Sequence, residues 1–292
     1  MAKQASKKSK TRKKAAPKRG LKRRVLCWGV RGVSAVFLVI VAVVVAGAFF
    51  NPPTTAYMFS EGRRLGGVQQ NWIAIDNIAP VMARSAVAAE DANFCQHWGF
   101  DVAAIKLAIA EGSERGASTI SQQVVKNVYL WHGRTWFRKA MEASITPLME
   151  AIWSKRRIIE VYLNVAEFDE GVFGVDAAAR HYFGVSAGDL SPTQAARLAA
   201  ILPAPKSRSA SQPSSFIRKR SAQIRDGAAT ISRDGRARCF EICKLCPYKA
   251  LKGTIPFVPE PSDGPSVSCP SLSLLPQGAS EPCGKENRSG TR

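Results

Sequence analysis

Carboxylates are absent from the start of this 292-residue chain, where the first acidic residue is Glu61. Twelve Lys and Arg fall within residues 1–24, so much of the formal net charge of +20 lies there. Histidine is scarce, with three residues in no metal-ligand spacing, which argues against a histidine-based metal site. The sequence also lacks Ser-x-x-Lys, Lys-Thr-Gly and Ser-x-Asn, which excludes serine acyl-enzyme chemistry of the penicillin-binding type.

An uncharged apolar run, Val33 to Phe50, follows the basic tail. As a helix it spans about 27 Å, and extension back to Cys27 covers the roughly 30 Å of a bilayer core. The basic flank predicts a cytoplasmic N-terminus and an extracytoplasmic remainder. The alternative is a cleaved signal peptide, because Ala46-Gly47-Ala48 resembles a cleavage box. The length of the run favours an uncleaved anchor, which leaves nucleic-acid binding by the tail a minor alternative.

Helical periodicity dominates the middle of the chain, so the fold is predicted to be mainly α. Residues 54–80 are expected to be irregular and partly extended. Ser191-Pro192-Thr193-Gln194 is typical of a capping box that opens a helix. Helices are expected over residues 81–89, 102–110, 118–129, 136–153, 155–164 and 192–202.

Composition changes after Pro205, where Ser, Arg and Lys and then Pro, Ser and Gly dominate. Such composition is typical of a disordered end. The sequence therefore predicts four parts: a basic tail over residues 1–24, an anchor over 25–50, a catalytic domain over 51–235 and a disordered or anomalous tail over 236–292.

Glu90 is the candidate general base. It ends an apolar helix and precedes Phe94, so partial burial would raise its pKa toward the range useful near neutral pH. The alternative is an exposed Glu beside Asp91 at a helix end. His97 in the following loop is more typical of a structural hydrogen bond than of a metal ligand.

Two polar rows follow at helical spacing. Ser118, Gln122 and Lys126 would present a hydroxyl, an amide and an ammonium on one face, which suits phosphate or sugar oxygens or is simply a solvated face. Arg138 and Glu142 are either part of a second such row, headed by Arg134, or a surface ion pair. A diphosphate leaving group would need a cation cluster, because negative charge develops on it as the bond breaks. The candidate cations are Lys126, Arg134, Arg138, Lys139 and Lys155.

The aromatic and cysteine residues are weaker indications of function. Trp131, Trp136 and Phe137 lie among the cations and are either anchors at a bilayer surface or ordinary core. Cys95 has no evident partner in the sequence. Cys239-x3-Cys243-x2-Cys246 has the spacing of a radical-chemistry iron–sulfur motif but lacks the α/β-barrel context, so a metal site is not expected there.

Five blocks of sequence follow one another between residues 90 and 184. They are Glu90-Asp91-x-x-Phe94-x-x-His97-x-Gly99-x-Asp101, Gly116-x-Ser118-Thr119-Ile120-x-Gln122-Gln123 with Lys126-Asn127, Arg138-Lys139-x-x-Glu142, Lys155-x-x-Ile158-Ile159-Glu160-x-Tyr162-Leu163-Asn164, and Gly171-Val172-Phe173-Gly174 with Ala177-Ala178-Ala179 and Tyr182-Phe183-Gly184. In these blocks the chain resembles the monofunctional peptidoglycan glycosyltransferases, whose module also forms the N-terminal part of bifunctional penicillin-binding proteins. The resemblance covers about residues 54–220.

The resemblance implies a lysozyme-like helical lobe plus a small membrane-associated jaw, preceded by one transmembrane helix. It implies polymerisation of lipid-linked disaccharide-peptide (lipid II) into β-1,4 glycan, with release of undecaprenyl diphosphate. Glu90 would deprotonate the acceptor hydroxyl, and Glu142 would assist at the donor diphosphate, with a Mg²⁺ or Mn²⁺ ion as an optional cofactor there. The substrate-binding residues would be Arg115, Ser118, Gln122, Gln123, Lys126, Asn127, Arg134, Arg138, Lys139, Lys155 and Asn164.

The resemblance also implies a place in the cell. The chain would cross the inner membrane once, with a cytoplasmic N-terminus and a periplasmic catalytic domain. Its partners would be lipid II, the growing lipid-linked glycan, the bilayer and other cell-wall synthesis proteins, and no nucleic acid. A lysozyme-like muramidase and a non-catalytic cell-wall scaffold are the rivals, although a muramidase has no need of five cations.

Overall fold

The computed structural model describes residues 21–110, 118–131, 133 and 135–241. The chain divides into two compact units, one ending at Ala46 and one beginning at Gly47. The first contains most of helix α1 (Leu21–Phe49), whose stretch Arg23–Phe49 has a mean hydropathy of 2.7. By length and composition this helix is consistent with the predicted membrane anchor.

The second unit is mainly helical, which confirms the predicted fold class. Three short strands form one small sheet, in which β3 lies between β1 and β2, parallel to β1 and antiparallel to β2. The strands are β1 (Gln69–Gln70), β2 (Glu167–Asp169) and β3 (Val172–Phe173). The helices are α2 (Ala56–Leu65), α3 (Pro80–Glu90), α4 (Val102–Ala110), α5 (Ile120–Tyr129), α6 (Trp136–Ile152), α7 (Lys155–Val165), α8 (Val175–Phe183), α9 (Pro192–Ile201) and α10 (Ser215–Arg233).

The region expected to be irregular, residues 54–80, contains helix α2. Thr55 caps this helix, because its side chain accepts a hydrogen bond from the backbone N–H of Met58 at 3.2 Å. Gly66 ends it at a φ of 79°, in the left-handed region that favours glycine. The prediction was wrong for residues 56–65, because the glycine punctuation masked a short helix.

Helix α10 lies within the predicted catalytic domain, although the composition after Pro205 is typical of a disordered end. Its residues Ile217, Ile224, Ala228 and Ile231 are buried, and the helix packs against α3 and α9. Their spacing gives one apolar stripe on a helix that is otherwise rich in Arg and Ser. Composition was misleading because such a narrow stripe barely changes the average hydrophobicity.

The packed chain continues to Glu241, six residues beyond the boundary expected at residue 235. Ala237 and Phe240 are buried, and Cys239 forms a disulfide bond with Cys95. Residues 236–241 therefore belong to the domain. A partner 144 positions away along the chain has no local sequence signal, so the pairing of Cys95 was not predictable.

Candidate active site

Glu90 is the last residue of α3, and its carboxylate is half-buried. Gln123 on α5 donates a hydrogen bond from Nε2 to Glu90 Oε2 at 2.9 Å. Burial raises the pKa of Glu90, while the Gln123 hydrogen bond and the charges of Arg220 and Lys126 act in the opposite direction. The position and the raised pKa agree with the candidate base, and the exposed-Glu alternative is wrong.

The loop after Glu90 is tied to the start of α5. Asp91 Oδ2 accepts the backbone N–H of Ile120 at 3.0 Å, and His97 Nε2 lies 2.8 Å from Asp91 Oδ1. Thr119 Oγ1 donates to the carbonyl of Gly99 at 2.6 Å. The structural role predicted for His97 is confirmed. The hydrogen bonds of the loop connect the end of α3 to the start of α5.

Helix α5 begins with a capping box that was not predicted from the sequence. Gln122 Oε1 accepts the backbone N–H of Thr119 at 3.0 Å, and Thr119 Oγ1 accepts that of Gln122 at 3.3 Å. Ser118 therefore precedes the helix, and the expected row of Ser118, Gln122 and Lys126 on one helical face does not exist. Gln122 is buried and its carbonyl oxygen is used in the cap, whereas Gln123 reaches the base.

Glu142 on α6 is buried and gathers cations. Arg138 Nη1 lies 2.8 Å from Glu142 Oε2, and Lys139 Nζ contacts Oε1. Lys139 Nζ also lies 3.5 Å from Ser118 Oγ. Only 3 % of the Glu142 side chain is exposed, so the surface-pair alternative is wrong. Negative charge from Glu142 also reaches Lys126, whose pKa is lowered by burial and raised in part by Glu142.

Two predicted substrate residues have their polar atoms bound by the protein itself. Lys155 Nζ lies 2.8 Å from both Glu150 Oε1 and the carbonyl of His97. Asn164 is fully buried, where it donates to the carbonyl of Ile73 at 2.9 Å and accepts its N–H at 2.8 Å. These contacts position the chain around the site. Arg115 and Arg134 lie outside the described residues.

A cleft of about 410 Å³ opens beside Gln123, Lys126 and Asn127. Its other charged lining residues, Glu167 and Lys206, were not predicted from the sequence, and neither was Tyr57. Tyr57 Oη donates to Glu167 Oε2 at 2.6 Å, and Lys206 Nζ lies 3.6 Å from Glu167 Oε1. Burial, together with the Glu167 hydrogen bond, raises the pKa of Tyr57 to about 12. The cleft thus has polar residues from several elements in its wall, including Gln123, which donates to Glu90.

Arg220 is a further residue that sequence reasoning missed. It lies on α10 and donates from Nη2 to the carbonyl of Ala89 at 3.1 Å, at the end of the helix that carries Glu90. A cation at a helix C-terminus is favourable, and here it also lowers the pKa of the base. No motif marks it, and the Ser/Arg/Lys-rich composition of its segment gives no sign of a functional residue.

Among the described residues, no group of three or more His, Cys, Asp or Glu side chains is placed to hold a metal ion. The first cysteine of the iron–sulfur spacing, Cys239, is bonded to Cys95 and is not a free thiolate. Cys243 and Cys246 lie outside the described residues. The site thus brings together one half-buried carboxylate, Glu90, and a group of cations paired with a second carboxylate, Glu142.

These features define a helical glycosyl-transferring enzyme, and comparison with known proteins identifies its family. The family model described as transglycosylase matches residues 60–229. The chain belongs to the transglycosylase family. The resemblance predicted from the five sequence blocks is confirmed.

Several relatives that are named biosynthetic peptidoglycan transglycosylase match this chain over most of their own length. A biosynthetic peptidoglycan transglycosylase of Jannaschia sp. is 56% identical over 240 residues, covering 82% of this chain and 99% of the relative. Its counterpart in Caulobacter vibrioides is 44% identical over 213 residues, covering 70% and 93%. That of Pseudomonas fluorescens is 48% identical over 195 residues, covering 63% and 81%.

Proposed function

We propose that this chain, a peptidoglycan glycosyltransferase, polymerises lipid II into β-1,4 glycan strands and releases undecaprenyl diphosphate. The observation that carries the proposal is the pairing of a half-buried base with a cation cluster. Glu90 receives the amide of Gln123, and Lys126 lies one helical turn from Gln123, within the field of Glu142. A hydroxyl that must be deprotonated and a diphosphate that must leave require these two elements.

Glu90 acts as the general base. Its ionised carboxylate takes the proton from the 4-hydroxyl of the acceptor N-acetylglucosamine as that oxygen attacks the donor's anomeric carbon. The bond to the lipid diphosphate breaks on the opposite face, so one displacement converts the α-linked donor to a β-1,4 linkage. The raised pKa of Glu90 makes its carboxylate a stronger base.

The donor diphosphate binds the cation cluster. Lys126, Arg138 and Lys139 supply the charge, and the buried Glu142 holds the latter two in place through its ion pairs. Ser118 contributes a hydroxyl beside Lys139. Arg134 and Arg115 are the remaining cations proposed for the substrates, while Asn127 lines the cleft next to Lys126.

A resident divalent cation does not fit the described donor set. Both oxygens of Glu142 are taken by Arg138 and Lys139, and no group of three ligating side chains surrounds it within the described residues. Mg²⁺ usually binds substrate phosphates and water together with one or two carboxylates, so a divalent cation at this site would be held mainly by the donor diphosphate itself. The charge of the diphosphate is met by the ammonium and guanidinium groups.

We place the enzyme at the inner membrane, with α1 as a single-pass anchor and the catalytic domain in the periplasm. The basic residues before α1 support a cytoplasmic N-terminus, and the Cys95–Cys239 bond supports an oxidising compartment for the domain. Helix α4 has no buried residue and exposes Leu107 and Ile109, so we assign it to the membrane-associated jaw. The exposed aromatic Trp136 adds an interfacial anchor.

Polymerisation of purified lipid II by wild type and Glu90→Gln tests the proposal. The amide keeps the size of the side chain but cannot take a proton, so the rate should fall by about a hundredfold or more while the fold persists. Glu170→Gln is the matched control, because this exposed carboxylate pairs with Arg64 away from Glu90. Wild-type polymerisation by Glu90→Gln would refute the role of the base. Cleavage of preformed glycan without polymer formation would favour a muramidase instead.

A further inference from the structure

The loop that follows Glu90 is bonded to residues 236–241, which we call the clamp. Cys239 is disulfide-bonded to Cys95 in the middle of the loop. The rings of Phe240 and Phe94, both buried, have centroids 6.2 Å apart. Arg236 Nη1 donates to the carbonyl of Ala92 at 3.1 Å. One covalent bond, one aromatic contact and one hydrogen bond thus reach three nearly consecutive loop residues.

The clamp is itself held by the helices of the domain. Arg156 on α7 donates from Nη1 to the carbonyl of Phe240 at 2.9 Å. Arg84 on α3 lies 3.1 Å from the carboxylate of Glu241. The clamp therefore transmits a fixed position from α3 and α7 to the loop, and it is more than a flexible end that touches the loop.

On its inner side the same loop contacts the catalytic elements. Asp91 receives the backbone N–H of Ile120 at the start of α5, and Gly99 receives the hydroxyl of Thr119. Three residues after Ile120, Gln123 donates to Glu90. The loop thus links the end of α3, which carries Glu90, to the start of α5, which carries Gln123, and the clamp is bonded to this same loop.

We propose that the clamp is an oxidation-dependent positioning device. In it the Cys95–Cys239 bond holds the loop so that Gln123 stays within hydrogen-bond distance of Glu90. The proposal rests on the periplasmic placement and on the proposed function of Glu90. Each thiol gives up one proton and one electron as the bond forms, and an extracytoplasmic disulfide-carrying oxidoreductase is reduced to its dithiol. Both cysteines are half-exposed, so oxidants and reductants can reach them.

The test compares oxidised full-length protein with the double variant Cys95→Ser/Cys239→Ser in detergent, with lipid II as substrate. We expect kcat to fall about tenfold or more, because a small misplacement of a catalytic group is costly, while KM changes by less than about twofold. Backbone amides of residues 91–99 should exchange faster with solvent. A purely structural bond would lower the thermal midpoint but leave kcat and loop exchange unchanged at temperatures well below it.

Reduction gives a second, reversible measurement. Wild type treated with a phosphine reductant should lose the same share of kcat and regain it on reoxidation, whereas the double variant should not respond. Cys27→Ser should respond as wild type does, because Cys27 is an exposed free cysteine on α1. A folded double variant with wild-type kcat and unchanged exchange over residues 91–99 overturns the proposal. So does peptide mapping that finds Cys95 as a free thiol in protein isolated from the periplasmic face.

Phe240→Ala keeps both cysteines and so guards against a double variant that fails to fold. It removes the ring that packs on Phe94 and should lower kcat in the same direction, whereas Phe216→Ala, an exposed phenylalanine on α10, should not. Equal kcat values for the two alanine variants contradict the clamp. If oxidised wild type makes no polymer at all, the proposed function fails, and this result is distinct from any of the outcomes above.

Discussion

Replacing Gln123 with alanine removes the hydrogen bond that the described structure provides to the carboxylate of Glu90. The amide donates from Nε2 to Glu90 Oε2 at 2.9 Å, and its oxygen lies 3.5 Å from the hydroxyl of the buried Tyr162. Gln123 thus contacts Tyr162 through its oxygen while its Nε2 orients the carboxylate of Glu90. The substitution leaves Lys126, one turn further along α5, in place.

The size of the effect follows from the charge on the acceptor. A hydrogen bond to an ionised group contributes about 1.5–3 kcal/mol, which corresponds to about ten- to a hundredfold in rate if the whole bond is needed for the reactive form. The bond favours the carboxylate over the acid, so its loss raises the pKa of Glu90 above its already raised value. Because the proposed role of Glu90 requires the ionised form, the acid limb of the pH–rate profile should move to higher pH.

The assay is the rate of lipid II polymerisation as a function of pH for wild type, Gln123→Ala and Gln122→Ala. Gln122 is the matched control, since it carries the same amide one residue earlier but uses its oxygen to cap α5. Its loss should cost about 1 kcal/mol of stability and lower the thermal midpoint by about 2–4 °C without moving the acid limb.

The reasoning would be refuted by an unchanged acid limb in Gln123→Ala, because then the amide does not stabilise the ionised base. An equal shift of the acid limb in Gln123→Ala and Gln122→Ala would also contradict the reasoning. In that case the helix start, and not the individual hydrogen bond, would control Glu90. Partial recovery of Gln123→Ala as the pH rises is expected, since a higher pH restores the ionised form but not its orientation.

Two further predictions concern α10. Arg220→Gln removes a charge that lowers the pKa of Glu90, so the acid limb of the pH–rate profile should also move to higher pH. Arg220→Lys keeps the charge and should retain most of the wild-type profile. An unmoved acid limb in Arg220→Gln would rule out the electrostatic role. Ile224→Ala should destabilise the domain by about 2–5 kcal/mol in a denaturation experiment, because Ile224 is buried on a helix that packs against α3 and α9. Arg225→Ala, at the next and exposed position, should change the free energy of unfolding by no more than about 0.5 kcal/mol. Equal effects of the two substitutions would show that α10 is not packed as described.

The base was predictable from local sequence because its setting is local. Glu90 ends an apolar helix, and a carboxylate at that point becomes partly buried wherever the helix packs. Arg138 and Glu142 were predictable as a pair for the same reason, since a spacing of four residues brings them together on any helix. Their burial was not predictable, because it depends on which elements cover α6.

Ser118 and Gln122 show where periodicity alone misleads. The spacing of four residues presumes that both lie in the helix, but the reciprocal hydrogen bonds of Thr119 and Gln122 start α5 after Ser118. The Thr-x-x-Gln pattern of a capping box was present in the sequence and would have located this start. Ser118 still reaches the cation cluster, through Lys139 on α6 rather than along its own helix.

The sequence by itself determined the family, the mainly helical fold, the apolar N-terminal helix and the candidate base, because motif order, periodicity and hydropathy are properties of neighbouring residues. Tertiary structure decided the contributions of α10 and of the clamp. Arg220 reaches Ala89 from 131 positions away, and Cys239 reaches Cys95 from 144 positions away. Such pairings arise only when the chain closes on itself, and no local pattern encodes which distant residue will lie behind the catalytic loop.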